Sequence, residues 1–198
     1  MALELHPVTP NDIPTITTLW YTIFQDPSMQ HLFPNTPAMH EWWTNANATD
    51  LREKPYQKYI KVIDPSAHEP TNPSKPRIVA YAKWDLSMPD ERGPRFPAWH
   101  SEQPSADNDA FFGRLERARR RVMGDRRHYY LDMLGTHPDY RRRGAGAMLV
   151  QWGCDRADAD GVGAYVDASV DGKGLYEKFG FVDYSGPEEG EVAAMARK

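Results

Sequence analysis

Leu3 and Leu5 alternate with Glu4 and His6, which predicts a short half-exposed strand stopped by Pro7. Thr9, Pro10 and Asp12 then supply an N-cap, a proline at the first helical position and an acid at the third. Behind them Ile13, Ile16, Leu19, Trp20 and Phe24 fall at helical spacing, so a first helix is expected over 10–24, with Pro14 pushing its true start later. Pro27, Pro34 and Pro37 predict a loop over 25–37, and a second helix follows from Met39 to Asn47 with Trp42 and Trp43 on it. Lys58 to Ile63 and Arg77 to Leu86 read as strands, the second with Ile78, Ala80, Ala82 and Trp84 on one face. Four prolines between them, Pro65, Pro70, Pro73 and Pro76, predict a long hairpin loop. Residues 88–109 read as loop. Phe111, Leu115, Ala118 and Val122 then mark one apolar helix stripe ending at Gly124. A strand from Tyr129 to Leu134, a helix from Ala145 to Asp160 closed by Gly161, a strand from Ala164 to Ser169 and a short helix from Lys173 to Phe179 follow. Terminal strands near Phe181 to Tyr184 and Val192 to Ala196 complete the chain. Strands that come first in hairpins and later alternate with helices argue for a mixed α/β (α+β) sheet.

Composition narrows the class. A chain of 198 residues fits one domain, and 40% hydrophobic residues excludes wholesale disorder. The longest uncharged apolar runs, such as Ala145 to Val150, are far too short to span a bilayer. The N-terminus lacks a basic stretch followed by an apolar one, so a cytoplasmic or nuclear location is expected. A single cysteine, Cys154, excludes an internal disulfide and a cysteine-based metal cage, and no metal is expected. The net charge of −4 opposes a dedicated nucleic-acid binder. Yet arginines crowd between Arg114 and Arg127 and again at Arg141, Arg142 and Arg143, consistent either with local phosphate contacts or with solvated faces.

The chemistry concentrates between Leu134 and Leu149, where a strand, a turn with Gly144 and Gly146, and a helix succeed one another. Free N–H groups at such a helix start, with its dipole, suit a pyrophosphate, and glycines let the phosphate approach the backbone. The segment is not a dinucleotide fingerprint, because Leu149 stands where the third glycine belongs, nor a P-loop.

Arg141, Gly144 and Gly146 nevertheless match the Q/R-x-x-G-x-G/A signature of the GNAT superfamily of acyl-CoA-dependent N-acetyltransferases. Some thirty residues on, the run from Gly174 through Leu175, Tyr176, Glu177, Lys178, Phe179 and Gly180 to Phe181 resembles that superfamily's Leu-Tyr-Glu-Lys-x-Gly-Phe segment. The likeness is clear from Tyr129 to Val182. Together with Asp167, Ala168 and Ser169, it looks most like fungal members whose substrates are unassigned. The resemblance implies a single GNAT domain over 1–198 and a mostly antiparallel sheet of six or seven strands. An insertion over about 88–127 would lie between the third and fourth strands. It also implies acetyl-CoA in a gap beside the fourth strand, with main-chain groups of Leu134, Gly135 and Thr136 on the pantetheine arm. The N–H groups across Arg142, Arg143, Gly144, Ala145, Gly146 and Ala147 would hold the pyrophosphate. An amine would attack the thioester directly, and Tyr176 would protonate the departing thiolate.

Two departures bear on the site. Ser169 stands where many members carry a cofactor-contacting asparagine, and the arginine-rich insertion replaces a tight hairpin. That insertion is expected to hold the cofactor's terminal phosphate, to guard the acceptor entrance, or to be solvated padding. Asp132, on the expected fourth strand, is the candidate general base, the alternative being a structural carboxylate bonded to an arginine. His128 and His137 are looser candidates. Trp42, Trp43, Tyr21 and Phe24 lie where the family builds its acceptor pocket. The expectation is an acetyl-CoA-dependent N-acetyltransferase for a small-molecule or peptide amine. Its rivals are a CoA-binding sensor or scaffold without turnover and a nucleic-acid module using the arginine-rich helix.

Overall fold

The structure, a computed structural model, describes residues 2–186 and 190–198. Among them one sheet is built from β1 (Glu4–Pro7), β2 (Gln57–Glu69), β3 (Asn72–Asp85), β4 (His128–Thr136), β5 (Gly163–Ala168), β6 (Val182–Asp183) and β7 (Ala193–Arg197). The spatial order is β1-β2-β3-β4-β5-β7-β6, and each neighbouring pair is antiparallel except β4 with β5. The helices are α1 (Ile13–Ile23), α2 (Pro27–Leu32), α3 (Pro37–Glu53), α4 (Ser105–Met123), α5 (Ala145–Asp160) and α6 (Lys173–Glu177).

The two sheet faces carry separate cores. On one, Leu149, Val150, Cys154 and Ala157 of α5 pack on Ala80, Ala82, Trp84, Leu131 and Val166. The helix lies unusually low there. A Cβ on Gly153 would come within 2.2 Å of the Trp84 ring, whose Nε1–H donates to the Leu149 carbonyl at 3.1 Å. On the other face α1 and α3 bury Ile16, Leu19, Trp20 and Trp43 against Tyr59 and Tyr81. Farther along that face α4 lays Ala118, Val122 and Met123 on Tyr130, Tyr165 and Ala196. Its apolar stripe at i, i+3 and i+7 faces the sheet as the periodicity predicts, and Gly124, at φ 55°, ends it.

Local chemistry explains where the elements depart from expectation. Residues 64–76 are not a loop: β2 and β3 run on to Glu69 and from Asn72 as a long hairpin arm. β1 pairs only with residues 60–63 and β4 only with residues 80–85. Pro65, Pro73 and Pro76 therefore lie where each strand has an open edge, and a missing N–H costs no ladder bond. Ile78 does not share a face with Ala80. Val62 pairs with Ala80 and Ile63 with Ile78, so Val79 is a bulge residue and the alternation resets. Pro27 starts α2 inside the expected 25–37 loop, because Asp26 caps it by accepting from the Met29 N–H at 3.0 Å. Thr36 caps α3 in the same way, and α3 extends well past Asn47 to Glu53.

Candidate active site

β4 and β5 pair in parallel from His128 with Gly163 to Leu131 with Val166 and then part. β4 continues beside β3 as far as Thr136, while β5 continues beside β7 to Ala168. The sheet therefore splays open, leaving the edge of β4 past Leu131 free of a strand partner. Lys83 pairs with Met133 and Trp84 with Leu131, so Asp132 is a bulge residue sitting at the opening. Leu134, Gly135 and Thr136 form the free edge above it. Gly135 packs closely, since a Cβ there would stand 2.8 Å from Ile23 Cδ1 and that side chain would have to move.

From Thr136 the chain passes through a short turn at Pro138–Tyr140 into the glycine segment. Arg142 adopts φ 63° and Gly144 φ 92°, so positive-φ residues alternate with ordinary ones and curl the N–H groups around a concavity suited to an anion. An arginine at φ 63° is a strained residue that sequence reading gives no hint of. α5 starts directly behind, with no side-chain cap on Gly144 and no acid in its first turn, so its leading N–H groups meet no carboxylate among the described residues. Arg141, Arg142 and Arg143 are exposed around the turn, Arg143 stacking on the Tyr140 ring at 4.6 Å. Ala145 is buried and Ala147 half-buried. Gly146 faces α6: a Cβ there would lie 3.1 Å from Leu175 Cδ2. The glycine thus lets the turn and the helix bearing Tyr176 meet closely.

Tyr176 is 6% exposed and stands edge-on to Phe181, its hydroxyl making no hydrogen bond among the described residues. Burial, reinforced by the charge of Asp167, pushes its phenol well above the usual tyrosine range, so it stays protonated at neutral pH. Ser169 is exposed and accepts from the Gly172 N–H at 3.2 Å, shaping the turn into α6.

The carboxylates at the splay differ in state. Asp132 meets Lys83 Nζ at 3.0 Å and the Arg95 guanidinium, whose Nη2 also donates to the Asp132 carbonyl at 2.7 Å. Lys83 in turn reaches Asp50 at 2.6 Å, and Asp50 accepts from the Tyr59 hydroxyl. Burial alone would raise the Asp132 carboxyl, but Arg95 and Lys83 outweigh it and hold it below the usual range. So Asp132 is an ion-paired anion of low proton affinity, matching the arginine-bonded alternative more closely than a free base. Asp167 sits one residue beyond the last β4–β5 pair and accepts from the Tyr130 hydroxyl at 2.6 Å and the Tyr165 hydroxyl at 3.0 Å. For it burial wins over those bonds and the nearby arginines, and its carboxyl is raised.

Sequence reading missed Lys83, Arg95 and Asp167 as members of this site. A signal existed for Asp167, which shares strand parity with Tyr165, whereas the Asp50, Lys83 and Asp132 contact joins positions too distant in sequence for any local pattern. His128 is buried, with Nδ1 2.6 Å from the Arg126 carbonyl and Nε2 3.1 Å from Arg92, and burial lowers it to about 4. His137 contacts Arg77 at 2.9 Å beside the turn. Trp43 and Tyr21 are core residues, and Trp42 stacks on Trp43 and donates to the Ala98 carbonyl. Phe24 packs on Trp20. Trp42 and Phe24 are half-buried at the margin of that core, and Phe24 lies beside Gly135 of the free β4 edge.

The connection between β3 and β4 makes a further opening. Its loop, 86–104, and α4 enclose with the sheet a cavity of about 790 Å³ that reaches Asp132 and Asp167. This puts the arginine-rich helix on the sheet face opposite α5, away from the glycine turn. Among the described residues no His, Cys, Asp and Glu cluster could hold a metal, and no helix is long and apolar enough to cross a membrane.

Solved structures of the same fold include a mosquito arylalkylamine N-acetyltransferase like 5b (13% identity, TM-score 0.67, 99% of each chain). Another is the paia N-acetyltransferase of Thermoplasma acidophilum in complex with coenzyme A (10%, 0.57, 100% of this chain and 99% of that one). A third is Arabidopsis thaliana NAA60 in complex with acetyl-CoA (12%, 0.55, 99% and 97%). At such identities the likeness is one of fold. Among curated proteins none matches the chain. The family model for the acetyltransferase (GNAT) family matches residues 37–181, a span holding the splay, the glycine turn and Tyr176, and the chain belongs to that family of acyltransferases.

Proposed function

We propose that the protein is an acetyl-CoA-dependent N-acetyltransferase that passes acetyl directly to a primary amine in a ternary complex. The observation that carries this reading is the joining of three features at one opening. These are an uncapped helix start behind a positive-φ turn, a strand edge without a partner, and a protonated tyrosine hydroxyl without a hydrogen bond. The complexes of the Thermoplasma protein with coenzyme A and of the Arabidopsis protein with acetyl-CoA, both of which share the fold, support the choice of cosubstrate.

On this reading the N–H groups from Arg142 to Ala147 hold the pyrophosphate, and the free edge at Leu134 to Thr136 pairs with the pantetheine arm. Ser169, its hydroxyl committed to the Gly172 N–H, adds little to cofactor contact. A β4 main-chain N–H polarises the thioester carbonyl as the amine attacks. Tyr176 then gives its proton to the sulfur as the carbon–sulfur bond breaks. Asp132 keeps Lys83 and Arg95 in place rather than taking the amine's proton.

The test is calorimetric titration with acetyl-CoA together with an amine panel read by free-thiol release. Saturable acetyl-CoA binding with amine-dependent thiol release is expected. Binding without release from any amine leaves the sensor reading in its place, and no binding removes both.

A further inference from the structure

The cavity between α4 and the sheet is lined by charges of both signs and by an aromatic wall. Phe96, Trp99 and Phe112 form the wall, and Arg119 and Asp167 face the same space. Arg95 is committed to Asp132 and Arg120 to Glu116. Arg119 differs. It is half-buried, its guanidinium carbon lies 4.6 Å over the Tyr130 ring, and it has no hydrogen-bond or ion-pair partner among the described residues. A cation held off solvent by a ring and left without a carboxylate is prepared for an anion from elsewhere. The same Tyr130 donates its hydroxyl to Asp167, so the unpaired guanidinium and a carboxylate bonded to phenols but to no cation among the described residues meet one side chain, the first at its ring and the second at its hydroxyl.

Building on the acetyltransferase reading above, we propose that this cavity takes the acceptor, and that the acceptor is an amino acid with an apolar side chain. Arg119 binds its carboxylate, the aromatic wall takes its side chain, and its ammonium turns to Asp167 at the mouth of the splay. A simple amine would place like charge against Arg119, and a simple carboxylate would meet Asp167. A molecule carrying both groups satisfies the cavity. Asp132 does not compete for the ammonium, since Lys83 and Arg95 already hold it. Asp167 retains acceptor capacity, because each of its oxygens receives one phenol hydrogen, and its raised carboxyl suits it to take a proton.

The protons balance. The ammonium loses one to Asp167, which releases it to solvent, and the neutral nitrogen attacks the carbonyl carbon. As nitrogen–carbon bonding replaces carbon–sulfur bonding, Tyr176 protonates the thiolate, and the second proton lost from nitrogen restores the phenol. Amide, free thiol and one proton are the products.

The experiment compares matched pairs on the free protein by calorimetry: phenylalanine with phenethylamine, leucine with isopentylamine, methionine with its decarboxylated amine. Each amino acid should bind roughly tenfold or more tighter than its amine, as a charge-assisted guanidinium bond requires. Arg119→Ala should abolish that gap. Arg119→Lys, which keeps the stem and the charge, should retain part of it, and melting curves of both variants establish that they fold. Equal or tighter binding of the amines, or no binding of either set, overturns the proposal. Thiol release with acetyl-CoA on the same samples separates the two readings. Acetylation of the amines but not the amino acids would remove the acceptor class and leave the acetyltransferase standing.

Discussion

The two faces of the sheet are constructed from different materials. Under α5 the contacts are apolar, and the glycine turn at its start presents main chain. Under α1, α3 and α4 the sheet carries Lys83, Asp132 and Asp167, with Asp50 of α3 on Lys83 and Arg95 held over Asp132, and presents side chains to a cavity. A main-chain site tolerates exchange of the exposed Arg141, Arg142 and Arg143 so long as the glycines remain. A side-chain site changes with each residue. The α5 face is therefore suited to a cosubstrate common to a whole family, and the opposite face to an acceptor particular to this chain.

The sharpest way to probe the contrast is at the opening where the faces meet. Tyr176→Phe keeps the ring against Phe181 and removes only the hydroxyl. Turnover should fall by roughly 10² to 10⁴ while acetyl-CoA affinity moves a few-fold. An undiminished single-turnover rate would take Tyr176 out of the chemistry.

Next in size is the ionic face. Lys83→Met removes the cation that Asp50 and Asp132 share and leaves each with one other, Lys54 and Arg95, which should cost about 1–3 kcal/mol in chemical denaturation, less than a fully uncompensated buried charge would. Loss below about 1 kcal/mol would mean that water reaches the network and that the faces do not differ in this respect.

A smaller effect is expected on the main-chain face. Gly146→Ala puts a methyl 3.1 Å from Leu175 Cδ2, so α6 must shift by a few tenths of an ångström. Acetyl-CoA affinity should drop by roughly three- to tenfold with about 1 kcal/mol of stability lost. Gly146→Asp, with greater bulk and a negative charge, should lose far more affinity. Equal affinities for the two variants would contradict a pyrophosphate at this turn.

The smallest effect concerns the two carboxylates at the splay, which should titrate in opposite senses. Asp132 is held below the ordinary aspartate value of 3.8, so its contribution to stability is present above that value and is lost as pH falls through its folded-state value. Asp167 is raised above 3.8, so its contribution is full below that value and is lost as pH rises through its folded-state value. Relative to wild type, Asp132→Asn should thus look worse as pH rises through the acid range, and Asp167→Asn should look better. Parallel stability–pH curves for the two variants would refute the distinction.

How far these features could be read in advance follows the same division. α5 is legible to the residue, Ala145 to Asp160, because Gly144 and Gly161 punctuate it and its periodic face is apolar. The positive-φ Gly144, and Gly146 packed against the helix that carries Tyr176, lie in segments that the motif match had marked, because a tight turn and a close helix contact constrain residue type. The hairpin arm was hidden because proline reads as a breaker until the open strand edges are known. Ile78 was placed on the wrong face because a bulge resets parity without leaving a mark in the composition. The ionic network escaped for a different reason: nothing near Lys83 in sequence names Asp50 or Asp132 as its partners.

The contact between Trp84 and Gly153 has a consequence for how this chain can diverge. The indole fills the space a side chain at 153 would need, so the ring sets the height of α5 above the sheet and with it the depth of the turn at the helix's start. Positions 84 and 153 are coupled, large opposite absent, and 153 cannot change while the ring at 84 stays. A bulkier residue at 153 becomes permissible only after the ring at 84 has shrunk, whereas the exposed arginines of the turn are free to change one at a time.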